Sequence, residues 1–328
     1  MNRIIERMVG RYIPFTVWYD KFFKGRVVFL TGVGRSGTSI LGKIIGSSRP
    51  VYYIYEPNFI KFTLWREISP LVLFEDFVMP AAQGFHLNMN PNRESWSGHI
   101  WQDSEIINRW KTLDRRIDLL PFIMDENPII VVKLTEWQMM LESMRDIYQD
   151  CKFIHIVRNG NDVVASSIIA GWWNDLYMLR NFVDWVDVRD VDDVRYNIPW
   201  YIDDDSKDLW YKWNRHTRSA CVWRCCMEHA DKVSSDPGFY TISYESLVKN
   251  TQEEYARLCD TFNFQPTELT RNHLARTMQF KRTQHEDVLP IIEEPERSKF
   301  KIAIERYRET YGLLDNGEKE CREDDICT

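Results

Sequence analysis

The chain has 328 residues, 44% of them hydrophobic and 28% charged, with a formal net charge of −7. That length buries a substantial core, as one large domain or two small ones, and the balance excludes a disordered chain. The acidic charge excludes a protein whose main surface holds nucleic acid, because that footprint is a basic excess, but it leaves room for a local basic pocket.

The N-terminal stretch "MNRIIERMVGRYIPFTVWYDKFFKGR" is basic and partly apolar, but Glu6 and Arg7 interrupt it. It lacks the apolar stretch and cleavage site of a signal peptide. It reads as a helix packed beside the first strand, with an interfacial membrane helix as the alternative. No apolar run approaches the roughly 20 residues that span a bilayer, so the expectation is a cytoplasmic protein without a transmembrane segment. "RVVFLTGV" (26–33) is a short β-branched run that ends at glycine, as a buried parallel strand does. "GRSGTSILG" then opens a helix near Ser36–Ser39, with Ile40, Leu41, Ile44 and Ile45 at helical spacing. "VYYIYE" (51–56), "PIIVVKLT" (128–135), "CKFIHIVRN" (151–159) and "FYTISYESLV" (239–248) supply further strands. Helices are expected around 137–148 and within "DVVASSIIAG" (162–171).

Alternation of strands and helices implies an α/β fold with a mostly parallel central sheet flanked by helices. Residues 172–208 depart from it, being rich in Trp and Asp with no clean strand pattern, and read as a helical insertion or lid. Residues 1–312 are expected to form a single domain, followed by a loose acidic tail over 313–328. The seven cysteines contain no C-x-x-C pair, so free thiols are expected.

Residues 32–39, "GVGRSGTS", keep the glycine spacing of a nucleotide-triphosphate loop, but Thr38 stands where that loop has its lysine. Small residues between a strand and a helix aim several backbone amides at one spot, at the positive end of the helix dipole, which makes an anion site. Arg35 adds a cation inside the loop. Triphosphate chemistry also needs a metal, often held by an acid at a later strand end, yet "FIHIV" ends in Arg158-Asn159. Two separated cations point to two anionic groups and no metal.

That pattern resembles the sulfotransferases. "GVGRSGTSIL" is similar to their 5'-phosphosulfate loop, in the Arg-containing form of the carbohydrate and tyrosyl-protein branch. "IVRNGNDVVASS" is similar to their 3'-phosphate motif, R-[ND]-x-x-D-x-x-x-S, with Arg158 and Ser166 eight residues apart. "YESLVKNTQEEYARLCDTF" resembles their Y-E-x-L segment and the helix after it, and "VVKLTEW" resembles the lysine-bearing strand. The resemblance implies 3'-phosphoadenosine 5'-phosphosulfate (PAPS) as co-substrate, with no metal. The acceptor would be a carbohydrate or a small-molecule alcohol.

Carried over residue by residue, the resemblance has the 5'-phosphate cradled by Gly34, Arg35, Ser36, Gly37, Thr38 and Ser39. Arg35 would sit on the bridging oxygen and sulfonate, Arg158 and Ser166 on the 3'-phosphate, and Tyr244 near the adenine. Lys133 would be a second cation near the sulfonate. The histidine that follows the lysine in the cytosolic branch is absent. The expected base is Glu56 in "YIYEPN", with Glu136, His86 and His99 as alternatives. Lys281 or Arg282 in "FKRTQHEDV" would cover the 3'-phosphate. Trp172, Trp173, Trp185 and Trp200 are candidate stacking faces for the acceptor, or else core aromatics. A P-loop kinase and an inactive binding module of the same fold are the rival readings.

Overall fold

In the computed structural model, residues 24–55, 128–147, 150–174, 186–191, 194–279 and 286–311 are described. The first strand, β1 (Val27–Gly32), is apolar and wholly buried, as a strand covered on both faces must be. It feeds α1 (Thr38–Gly46), whose Leu41, Ile44 and Ile45 sit on its buried face. Then come β2 (Val51–Tyr55), β3 (Ile129–Thr135), a single 3-10 turn at Gln138–Met140, and α2 (Leu141–Ile147). The strand β4 (Lys152–Val157) runs into α3 (Gly160–Ile169).

The Trp- and Asp-rich insertion, expected to be helical, carries a two-stranded antiparallel hairpin, β5 (Val186–Val191) and β6 (Val194–Pro199), before the short helix α4 (Asp204–Leu209). The period-2 alternation is partial: "VDVRDV" keeps it only as far as Arg189, and in "VRYNIP" Arg195, Asn197 and Pro199 alternate with Val194, Tyr196 and Ile198. Beyond it lie α5 (Arg215–Val233), β7 (Phe239–Ser243), α6 (Tyr244–Lys249), α7 (Thr251–Phe262), α8 (Glu268–Thr277) and α9 (Glu296–Thr310).

The five long-range strands form one parallel sheet in the order β2-β3-β1-β4-β7. Its centre, β1, is registered with Thr31 against Leu134 and Gly32 against Thr135 on one side, and Thr31 against His155 on the other. The C-terminal ends of β1, β3 and β4 therefore meet at one edge, where ligands of such sheets bind. One core packs α1, α7 and α8 on the sheet through Leu41, Ile44, Ile45, Leu258, Phe262 and Leu274. The other packs α3, α5 and α9 through Val163, Trp223, Phe300 and Tyr307. Ile156 belongs to the first and Val157 to the second, because successive strand residues face opposite ways. Full burial of one such side chain contributes about 1.5–3 kcal/mol.

Candidate functional site

The connection between β1 and α1 is built for backbone recognition. Arg35 has φ 70° and Gly37 has φ 94°, and the Ser36 amide donates to the Val33 carbonyl at 3.1 Å. These left-handed residues curl the chain so that α1 starts just after Gly37, its N-cap, with no side-chain cap. The first-turn amides of a helix have no partner within the helix, so an uncapped start offers them to a ligand. Glycine is required at position 37 twice over. Its φ disfavours side chains, and a Cβ there would lie 2.5 Å from Tyr244 Cδ2. Ser36 Oγ is buried and has no hydrogen-bond partner among the described residues. Lys133, 1% exposed at the end of β3, donates from Nζ to Ser39 Oγ at 3.0 Å, so a buried cation lies under the first turn of α1.

The neighbouring connection, from β4 to α3, is built on side chains. Arg158 directly follows β4, 9% exposed, and its Nη1 donates to the Arg35 carbonyl at 3.1 Å. Its guanidinium lies 4.5 Å from the Tyr244 ring centroid, and its Nε is buried without a partner among the described residues. Arg35 Nε in turn donates to Ser166 Oγ at 3.1 Å and its guanidinium stands 5.8 Å from the Trp172 ring. The two motifs thus interlock: each arginine reaches a residue of the other motif. Gly34, Arg35, Ser36, Gly37, Thr38, Ser39, Lys133, Arg158, Ser166 and Tyr244 all come to one end of the sheet.

Arg158 is held from behind by residues of three helices, α5, α6 and α9. Trp223 Nε1 donates to its carbonyl at 3.1 Å. The next amide, of Asn159, donates to Glu245 Oε1 at 3.0 Å, and Tyr307 donates its hydroxyl to Glu245 Oε2 at 2.7 Å. Asn159 also caps α3 by accepting from the Asn161 amide. Glu245 was visible in the Y-E-x-L segment. Trp223 and Tyr307 carried no local signal, because their contacts depend on how α5 and α9 pack.

Of the tryptophans, Trp173 is 6% exposed and meets Trp210 edge-on at 6.1 Å, which makes it a core residue and not a stacking face. Trp172 is half-buried against the loop, and Trp200 meets Tyr201 edge-on at 6.0 Å. Glu56, His86, His99, Trp185, Lys281, Arg282 and the 313–328 tail lie outside the described residues. Asp203, Cys221 and Cys225 place ligand atoms within 4.8 Å of one another. Asp203 is, however, already paired with Arg224 at 2.7 Å, and that pairing with the Ser206 contacts drives its carboxyl far below the usual range despite burial. Burial pushes the Cys221 thiol well above its ordinary value. A protonated thiol beside an occupied carboxylate is a poor metal ligand set. No helix among the described residues is long and apolar enough to cross a membrane.

A family model described as "Sulfotransferase family" matches residues 27–268. No curated protein matches the chain significantly. Among solved structures, the sulfotransferase domain of the Synechococcus PCC 7002 olefin synthase is 13% identical, with a TM-score of 0.46 over 86% of this chain and 94% of that one. The sulfotransferase STF9 from Mycobacterium avium is 12% identical, with a TM-score of 0.47 over 92% and 82%. Mouse sulfotransferase SULT7A1, complexed with PAP, is 12% identical, with a TM-score of 0.39 over 90% and 88%.

Proposed function

The chain belongs to the sulfotransferase family, and from that premise we propose that it moves a sulfuryl group from PAPS to a hydroxyl of a carbohydrate or small-molecule acceptor. One observation carries the choice of donor. Each of the two motifs holds a buried donor without a partner among the described residues, Ser36 Oγ in one and Arg158 Nε in the other. Buried polar groups normally find partners, and two such atoms in adjacent connections fit the two separate anions of PAPS.

In this reading the amides at the start of α1, with Ser36, take the 5'-phosphate. Arg158 and Ser166 take the 3'-phosphate. Arg35, which can leave Ser166 for a stronger acceptor, and the buried Lys133 stand where charge grows on the bridging oxygen as the S–O bond breaks. Fixed cations count most at such a point. The half-buried ring of Trp172 beside Arg35 gives the acceptor an apolar wall. Glu56, to which the family resemblance assigns the acceptor's proton, lies outside the described residues.

The test is calorimetric titration with 3',5'-adenosine bisphosphate (PAP) and with 5'-AMP, without added metal, in the wild type and in Arg158→Ala. Charge-assisted bonds contribute about 1.5–3 kcal/mol each, so the variant is expected to bind PAP roughly 10- to 100-fold more weakly while 5'-AMP changes little. Metal-dependent binding of ATP in place of PAP would overturn the reading in favour of a P-loop kinase.

A further inference from the structure

Glu136 directly follows β3, and its backbone is left-handed, at φ 62°, although it is not glycine. Such a conformation costs on the order of 1–3 kcal/mol and tends to persist where function requires it. Its amide donates to the Gly32 carbonyl at 2.9 Å, and the Gly34 amide donates to its Oε1 at 3.3 Å. A Cβ added to Gly34 would lie 2.7 Å from that oxygen and 2.5 Å from the Trp172 ring. The carboxyl and the tryptophan therefore share the space beside Gly34. The Glu136 charge also helps raise the Tyr201 hydroxyl of the insertion and the Cys226 thiol of α5, both raised mainly by burial. Glu136 thus stands where the phosphosulfate loop, the insertion and α5 converge.

We propose that Glu136 is the base that takes the acceptor's proton, an inference that rests on the sulfotransferase reading above. With the 5'-phosphate on the α1 amides, in-line transfer brings the acceptor hydroxyl to the sulfur from the side opposite the S–O bond that breaks. In this proposal the hydroxyl approaches past Gly34, Trp172 and Glu136, which lie together beside the loop. The hydroxyl oxygen forms the new O–S bond and its proton passes to the Glu136 carboxylate. The S–O bond to the 5'-phosphate breaks, and its electron pair leaves with PAP. A positioned base must come within hydrogen-bond reach of the proton it removes. The strained backbone and the Gly34 hydrogen bond fix the Glu136 carboxyl on this side of the loop.

The competing role is a tie between β3 and the loop, and two substitutions separate the alternatives. Glu136→Gln keeps an oxygen that accepts from Gly34 but removes the basicity. Glu136→Asp keeps the carboxylate but shortens it away from Gly34. The full chain would be assayed without metal, with PAPS as donor. Inorganic sulfate release to water and transfer to 4-nitrophenol and to aliphatic alcohols are followed, with PAP titrated in parallel and Glu56→Gln run beside the two. Expected are PAP affinity within about 2-fold of wild type and a turnover loss of roughly 100-fold or more in Glu136→Gln, by the usual worth of a positioned base. The loss should be smaller in Glu136→Asp, and smaller for acidic 4-nitrophenol than for an alcohol. Glu136→Asp falling below Glu136→Gln, or Glu136→Gln keeping turnover while Glu56→Gln loses it, would overturn the assignment. A wild type that binds PAP but releases no sulfate to any acceptor, water included, would overturn the sulfotransferase reading itself.

Discussion

In the proposed reading, the two strand-to-helix connections at the sheet edge solve one problem, holding an anion, by opposite means. Between β1 and α1 the chain curls through Arg35 and Gly37 in left-handed conformations and leaves the helix uncapped. Between β4 and α3 the conformation is ordinary, Asn159 caps the helix, and the Asn159 amide goes to Glu245. The first connection presents backbone, whereas the second turns the Asn159 and Asn161 amides inward and presents the side chains of Arg158 and Ser166. A phosphate gripped by amides at a helix start tolerates little change in chain geometry. One gripped by a guanidinium depends on whatever keeps that guanidinium in place. The difference teaches that the two ends of the nucleotide should fail for different reasons.

Gly37→Ala should break the first connection with the largest effect. A side chain at φ 94° costs about 1–2 kcal/mol, before Tyr244 yields to a Cβ 2.5 Å from its ring. Thermal unfolding should show a Tm lower by several degrees, at roughly 2–4 °C per kcal/mol for a large domain. PAP and 5'-AMP should weaken together, by about 10-fold or more, because the shared 5'-phosphate loses its amides. Loss of PAP alone would place the 5'-phosphate elsewhere.

Tyr307→Phe probes the second connection from a distance. It removes the 2.7 Å hydrogen bond that steadies Glu245, at a cost of about 1–3 kcal/mol for a buried carboxyl left short of a partner. Glu245 then holds the Asn159 amide less firmly and Arg158 loses part of its backing. PAP should weaken roughly 3- to 10-fold while 5'-AMP keeps its affinity. Equal weakening of both nucleotides would show that α9 supports the whole edge and not the Arg158 end.

The sheet was legible in the sequence because parallel strands buried on both faces are continuous apolar runs, and "RVVFLTG", "PIIVVKLT" and "CKFIHIV" are all of that kind. The residues around the loop were legible because their spacing along the chain reflects local geometry. Arg158 and Ser166 belong to one strand end and the helix after it. Most of the backing of Arg158 was not: Glu245 stands in the Y-E-x-L segment, but Trp223 and Tyr307 lie on other helices and only packing unites the three. The hairpin in the insertion was hidden by its charges: "VDVRDV" alternates only as far as Arg189, and its Asp and Arg residues give it the look of a solvated loop. Glu136 could be weighed as a base beside Glu56, yet its backbone strain and its bond to Gly34 are facts of three dimensions.

Asn159→Ala offers the smallest effect and the sharpest contrast. The cap accepts from Asn161 at 3.0 Å, and its loss should cost about 1 kcal/mol of stability, within the usual range for helix caps. At a site built on helix amides, removing a competing cap would expose donors and change anion affinity. Here the Asn159 and Asn161 amides serve the fold, and in the proposed reading the anion is left to Arg158 and Ser166, whose side chains the substitution does not touch. PAP affinity in Asn159→Ala should therefore stay within about 2-fold of wild type while Tm falls by a few degrees, in step with the roughly 1 kcal/mol lost. A 10-fold change in PAP affinity, in either direction, would mean that the start of α3 takes part in binding. The division between a backbone site and a side-chain site would then fail.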